Sequence, residues 1–353
     1  MGTSKLFARG IALGMLTLPS TSPAANYCVG TETELRNALA DAESNGDPNN
    51  IIAIKEGTIT ITSTGTAGSD GPTYNDSSGA STLTIYGQNN STCTGPGGAS
   101  TLDGAYHTNL LWINNANDVY VGRLTFEHGD SKTSTSGASA LYVHGDYVNV
   151  ELNTFIANRS PSSTTLEAVA SSYVLLTTNL LIGNQALGTA SGYLQSGAFG
   201  FGYVVGNTIV GNTSTDTSGL VIPYGLWLDG TKKFYVSNNI MWGAVSSSIQ
   251  ATHDLYSTGA VEMHNNDIQA YTGQSWDVAS SGNLSVDPDF NGFFSVSLAP
   301  TSPLVNAGLD NPLCGNAIPG CSYYDLSGQQ RVIGRHVDIG AYESEVLFRN
   351  GFQ

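Results

Sequence analysis

VYVGRLTF at 119–126, VNVELNTF at 148–155, VLLTTNLL at 174–181, GYVVGNTI at 202–209, FYVSNNIM at 234–241 and VEMHNNDI at 261–268 are six copies of one pattern. Their sixth residues are Leu124, Asn153, Asn179, Asn207, Asn239 and Asn266, separated by 29, 26, 28, 32 and 27 residues. The third and eighth residues are apolar in every copy, and the first in all but Gly202. Alternate apolar residues are what one face of a pleated strand requires. A period near 28 makes each copy one coil. A coil that short cannot bury its own core. Coils stacked about 4.8 Å apart place Phe126 on Phe155 and Val121 on Val150, so the core becomes continuous along the stack. The pattern predicts a parallel β-solenoid, with Phe155 wholly inside it.

Asparagine at the sixth position suits a corner, because it tolerates left-handed backbone and its amide can bond the amide of the next coil. A second row, Asn158, Asn184 and Asn212, stands five residues further on. Both rows are expected to stack as ladders.

Upstream of the repeats, Thr31 and Glu34 have capping-box spacing, and Leu35, Ala38, Leu39 and Ala42 recur at helical intervals until Gly46 and Pro48. One short capping helix is expected there. Strand periodicity follows at Ile52 and Ile54, 58–62 and 83–85, and the Gly, Ser and Thr of 63–82 read as a long polar loop. Charged residues are only 11%, and 28 acids against 12 bases give a net charge of −16. That field repels phosphate backbones and anionic lipid, so nucleic acid is a poor partner. Lys5 and Arg9 precede an apolar run from Ile11 to Leu18, and Ala24 and Ala25 follow Pro23, the pattern of a secretory signal cleaved near Ala24 or Ala25. Its removal takes two bases and no acid, leaving −18. No stretch is long and apolar enough to span a bilayer. The reading is a secreted or cell-surface monomer. Four cysteines suit an oxidising compartment and allow three connectivities, of which Cys28 with Cys93 and Cys314 with Cys321 is the simplest.

The helix, Leu83-Thr84-Ile85-Tyr86-Gly87, Thr101-Leu102-Asp103-Gly104 and the asparagine repeats together resemble secreted right-handed parallel β-helix proteins of the pectate-lyase-like superfamily. Asp287-Pro288-Asp289-Phe290, Ser302-Pro303-Leu304, Asn306-Ala307-Gly308, Asp325, Gly328, Arg331 and VDIGAYE at 337–343 resemble the C-terminal choice-of-anchor Q region of bacterial surface β-helix proteins. The closing LFRNGFQ is similar to short sorting tails, with Asn350 and Gln353 in place of acids. The resemblance implies an all-β, right-handed parallel β-helix with an N-terminal cap over 26–283, an anchor-like region over 284–343 and a tail over 344–353, after a signal peptide over 1–25. It also implies that functional residues project from the outer faces of the stacked strands.

On that outer face, Tyr120, Tyr203 and Tyr235 share one alignment position and could stack on sugar rings. Glycoside hydrolysis needs two carboxyls about 5 to 9.5 Å apart. Glu151 and Glu262 are four coils, about 19 Å, apart and cannot cooperate. Glu127, His128 and Asp130, with His144, Asp146 and Glu151 on the next coil, form the densest set of acid–base groups and are the catalytic candidates. Lyase chemistry lacks its cations: Arg123, Arg159, Lys232 and Lys233 do not align, and the arginine motifs of pectate lyases and the Asp-Asp and Gly-His-Gly motifs of polygalacturonases are missing. Asp287, Asp289, Asn291 and Gly292 match half of an EF-hand loop, but Leu298 stands where Glu is required, so a turn is expected. No cofactor or metal is expected. Of two functional classes, a non-catalytic protein binding extracellular glycans or surface partners is preferred. The alternative is a polysaccharide hydrolase or lyase.

Overall fold

The computed structural model describes residues 25–62, 71–76, 81–115, 117–131, 138–161, 163–186, 190–197, 200–214, 224–246, 253–292, 295–310, 324–331 and 335–344. The signal-like segment up to residue 24, Cys314, Cys321 and the tail from 345 lie outside them.

Every strand pairing between named strands is parallel, and the strands fall into sheets of 15, 8 and 4. The protein is an all-β parallel β-helix, with one helix, Glu32–Ser44, among the described residues. Thr31 caps that helix by accepting from the Glu34 amide at 3.2 Å, while Glu34 accepts from the Gly30 amide at 2.7 Å. Leu35, Ala38, Leu39 and Ala42 are its buried face, as the spacing predicts.

The large sheet divides lengthwise into two strips. The strands Leu141–Glu151 and Leu166–Thr177 run through both. Their second halves pair with Val119–Gly122 below and Phe201–Val205 above, and this ladder strip leads into the asparagine bend. Their first halves pair with Leu111–Asn115 below and Ala190–Ser196 above, followed by Tyr224–Gly230 and Leu255–Ser257. This second series is the loop strip. The register of the ladder strip and second sheet matches the alignment residue for residue: Tyr120 faces Asn149, Leu175 faces Tyr203, and Phe155 lies between Phe126 and Leu181. Phe155 is fully buried and its ring stacks on Phe126 at 4.9 Å. Gly202 interrupts the apolar first position for a steric reason. A Cβ there would lie 2.0 Å from the ring of Phe234, which fills the space.

Both asparagine rows are ladders. Asn153, Asn179, Asn207 and Asn239 each donate from backbone and side chain to the amide oxygen of the next, at 2.8–3.2 Å. Asn266 continues the row onto Asn283, a member absent from the alignment. Asn158, Asn184 and Asn212 form the second row. The expected left-handed backbone lies elsewhere, however. Positive φ falls on the residue before each ladder asparagine, at Leu152, Thr178, Gly206, Asn238 and Asn265 in the first row and Ala157, Gly183 and Gly211 in the second. The corner is made one residue early, which frees the asparagine side chain to point into the stack.

One further expectation changes. Thr73–Asp76, inside the supposed polar loop, is a strand paired with Leu111–Asn115, and Tyr74 is fully buried with its hydroxyl 3.0 Å from Ser81. The outward row Ile182, Val210, Trp242 of the second sheet is apolar because Leu298, Leu304, Val305 and Ile339 pack on it. Arg331 fastens that segment, donating to Gly340 O at 2.6 Å, Gly206 O at 3.0 Å and Thr178 Oγ1 at 3.1 Å. At the other end, a disulfide joins Cys28 to Cys93, Cα atoms 5.8 Å apart.

Candidate functional site

The loop strip carries an outward row in strict register: Trp112, Tyr142, Glu167, Tyr193, Trp227 and Tyr256. It points outward because its chain neighbours, such as Leu111 and Ile113, Leu141 and Val143, Leu166 and Ala168, and Leu226 and Leu228, fill the core. Trp112 stacks on Tyr142 at 5.0 Å and 7°, whereas Tyr193 meets Trp227 edge-on at 5.2 Å and Trp227 meets Tyr256 at 5.7 Å. All six residues are half-buried.

Two residues along each strand stands a second outward row of mostly polar residues: Asn114, His144, Val169, Gln195, Asp229 and Thr258. His144 Nδ1 is 2.8 Å from Asn114 Oδ1. Asp229 accepts from Tyr193 Oη at 2.8 Å, Thr258 Oγ1 at 2.6 Å and Gln195 Nε2 at 3.4 Å. His144, Val169, Gln195, Asp229 and Thr258 line a cleft of about 920 Å³ together with Ser171, Ser196 and Thr231. Burial raises the Glu167 carboxyl above its ordinary range, and no hydrogen bond or ion pair joins it to a described residue. Burial and the neighbouring carboxylates also raise the Tyr193 phenol.

Spacing hid this row. Counted back from the next asparagine bend, its members stand 10 to 14 residues away, because the loop strip joins the ladder strip through variable stretches, one of them a register shift between Gly145 and Tyr147. An alignment anchored on the bend smears it out.

The tyrosines proposed from sequence behave differently. Tyr203 stacks on Tyr235 at 5.2 Å, but Tyr120 is cut off from them by Asn149 and Leu175. Tyr203 is only 7% exposed, packed with Leu175 and Val205 against Tyr147, Phe201 and Tyr235. It is part of a satellite core rather than an open platform. Lys233 lies over the Tyr235 ring at 5.7 Å and is paired with Glu262 at 2.9 Å and with Asp277.

The six acid–base candidates disperse. Asp130 is buried and bonded to Arg159 at 2.6 Å. Asp146 accepts from Ser172 Oγ at 2.7 Å, and Asn149 reaches Glu151 at 3.5 Å on the ladder strip. His144 belongs to the cleft. Glu127 and His128 meet Asp103 instead, on the second sheet: the three offer ligand atoms within 4.8 Å of one another, and His128 Nδ1 is 3.1 Å from Asp103 Oδ1. That trio, overlooked in the sequence because Asp103 is one coil below, could hold a cation. Asp287 and Asp289 form a turn, with the Asp289 amide donating to Asp287 Oδ1 at 3.0 Å.

No protein-family model matches the chain, and no curated protein does. Among solved structures, the crystal structure of the pectate lyase Pel9A is similar at 15% identity, covering 92% of this chain and 97% of that one, with a TM-score of 0.38.

Proposed function

We propose that the protein binds an extended glycan along the loop strip, outside the cell, without cleaving it. The observation that carries this reading is the row of five rings in register over six coils beside the cleft. Rings repeated at one strand spacing give a linear polymer flat apolar faces at little entropic cost. The adjacent row supplies amide, hydroxyl, imidazole and carboxylate groups for sugar hydroxyls. The Cys28–Cys93 disulfide, the signal-like N-terminus and the anchor-like region over 284–343 support an extracellular setting. A glycan array with the parent and Trp227→Ala tests it. Ligands retained by the parent and lost by the variant are expected, and equal retention by both would refute the assignment. The enzymatic alternative draws on Glu167 and Asp229, which share the strip, with the Glu167 carboxyl raised as a general acid requires. New reducing ends or unsaturated products from a bound polysaccharide would select it.

A further inference from the structure

We infer that Glu167 makes the loop strip selective for glycans bearing free amino groups, a glucosamine polymer rather than its N-acetylated, neutral or uronate counterparts. The inference rests on the glycan-binding reading of this strip and names its ligand class.

Glu167 interrupts a row otherwise made of rings, with Tyr142 one strand below and Tyr193 one strand above. A carboxylate withdrawn from water this way costs free energy unless a donor or cation meets it. Among the described residues none does, and the strip's strands contain no Lys or Arg at all. Besides the phenols of Tyr142, Tyr193 and Tyr256, the titratable side chains of its two outward rows are Glu167, Asp229 and His144, and the sheet carries them on a chain of net charge −16. An ammonium placed at Glu167 gains a charge-assisted hydrogen bond, and the flanking tyrosines, within about one strand spacing, add cation–π attraction. A sugar hydroxyl there gains only a neutral donor's bond. A uronate is repelled by both carboxylates. The two acidic positions, Glu167 and Asp229, are two strands apart, so a polymer lying along the row meets negative charge at more than one residue.

Calorimetry with glucosamine hexamer, N-acetylglucosamine hexamer, cellohexaose and a galacturonate oligomer, at low salt, tests the proposal. The glucosamine hexamer should bind about tenfold or more tightly than the acetylated one. Glu167→Gln should abolish that preference, bringing the two hexamers to within about twofold of each other. Asp41→Asn, an exposed helix carboxylate elsewhere, controls for diffuse attraction and should leave the preference intact. Equal binding of the two hexamers, or a preference that survives in Glu167→Gln, overturns the inference. A neutral or uronate ligand that binds more tightly than the glucosamine hexamer and is lost in Trp227→Ala would overturn it too and leave the glycan-binding strip standing. Binding that Trp227→Ala does not touch removes both.

Discussion

The two strips of the large sheet share strands, core and register, yet their outward aromatic rows end up in opposite circumstances. On the ladder strip, the row of Leu175, Tyr203 and Tyr235 lies beside a second row of Tyr147, Tyr173 and Phe201, whose rings follow one another at 6.2 Å. Flanked by that row, Leu175 is buried and Tyr203 is left 7% exposed, while Tyr173 on the outer side stays open to solvent. On the loop strip the neighbouring row is mostly polar, so the rings stay half-exposed and a cleft opens over that polar row beside them. The strand period decides that a ring faces outward, and the row next to it decides whether the ring becomes core or platform.

Four measurements can break or sharpen that contrast. The largest effect is expected in the interior that both strips share. Phe155→Ala should lower unfolding free energy by about 3 to 5 kcal/mol, and it sets the scale for the rest. Tyr203→Ala should cost about 2 kcal/mol in denaturant titration, because a nearly buried ring is lost from the ladder strip. A silent Tyr203 variant that loses glycan would reverse the roles of the two strips.

The third effect concerns the end of the loop strip. There buried Asp254 accepts from the amides of Ala244 and Ala270, and on the second sheet buried Asp267 accepts from Val286. Burial lifts both carboxyls to about 6. Their folded pKa values exceed the unfolded ones, so the folded chain binds more protons between about pH 4 and 6. Stability should therefore rise as pH falls from 7 through 6 and on toward 4, by on the order of 3 kcal/mol per group at full protonation. Asp254→Asn should flatten that slope, and an unchanged slope would place the titration elsewhere. Smallest in stability is Trp227→Ala, expected to cost within about 1 kcal/mol while abolishing binding. A loss as large as that of Phe155→Ala would make the loop strip core as well.

What could be read from the chain alone follows from the same physics. The asparagine ladders and the interior stack were legible because every coil repeats the same contact at the same offset from the bend. The left-handed residue was misplaced by one, since Leu152 and Thr178 are not residues that advertise positive φ. The Trp112 to Tyr256 row was invisible because its offset drifts. Tyr74 was lost among small polar residues. The apolar row Ile182, Val210 and Trp242 continues the register position of Glu127, but only the residues packed over it explain its character. Of the catalytic candidates, proximity in sequence grouped residues that the coil geometry sends to three different surfaces.

A stack of coils is, thermodynamically, a one-dimensional chain in which each unit is held by its neighbours, and such chains melt inward from their ends. The Arg331 segment changes that arithmetic, because it bonds Thr178, Gly206, Thr208 and Asn238 across three successive coils at once. Those coils cannot separate one at a time without releasing the whole clasp. Hydrogen exchange should accordingly find common protection in the clasped strands at 174–182, 201–210 and 234–242, with the strand Leu111–Asn115 opening independently of them.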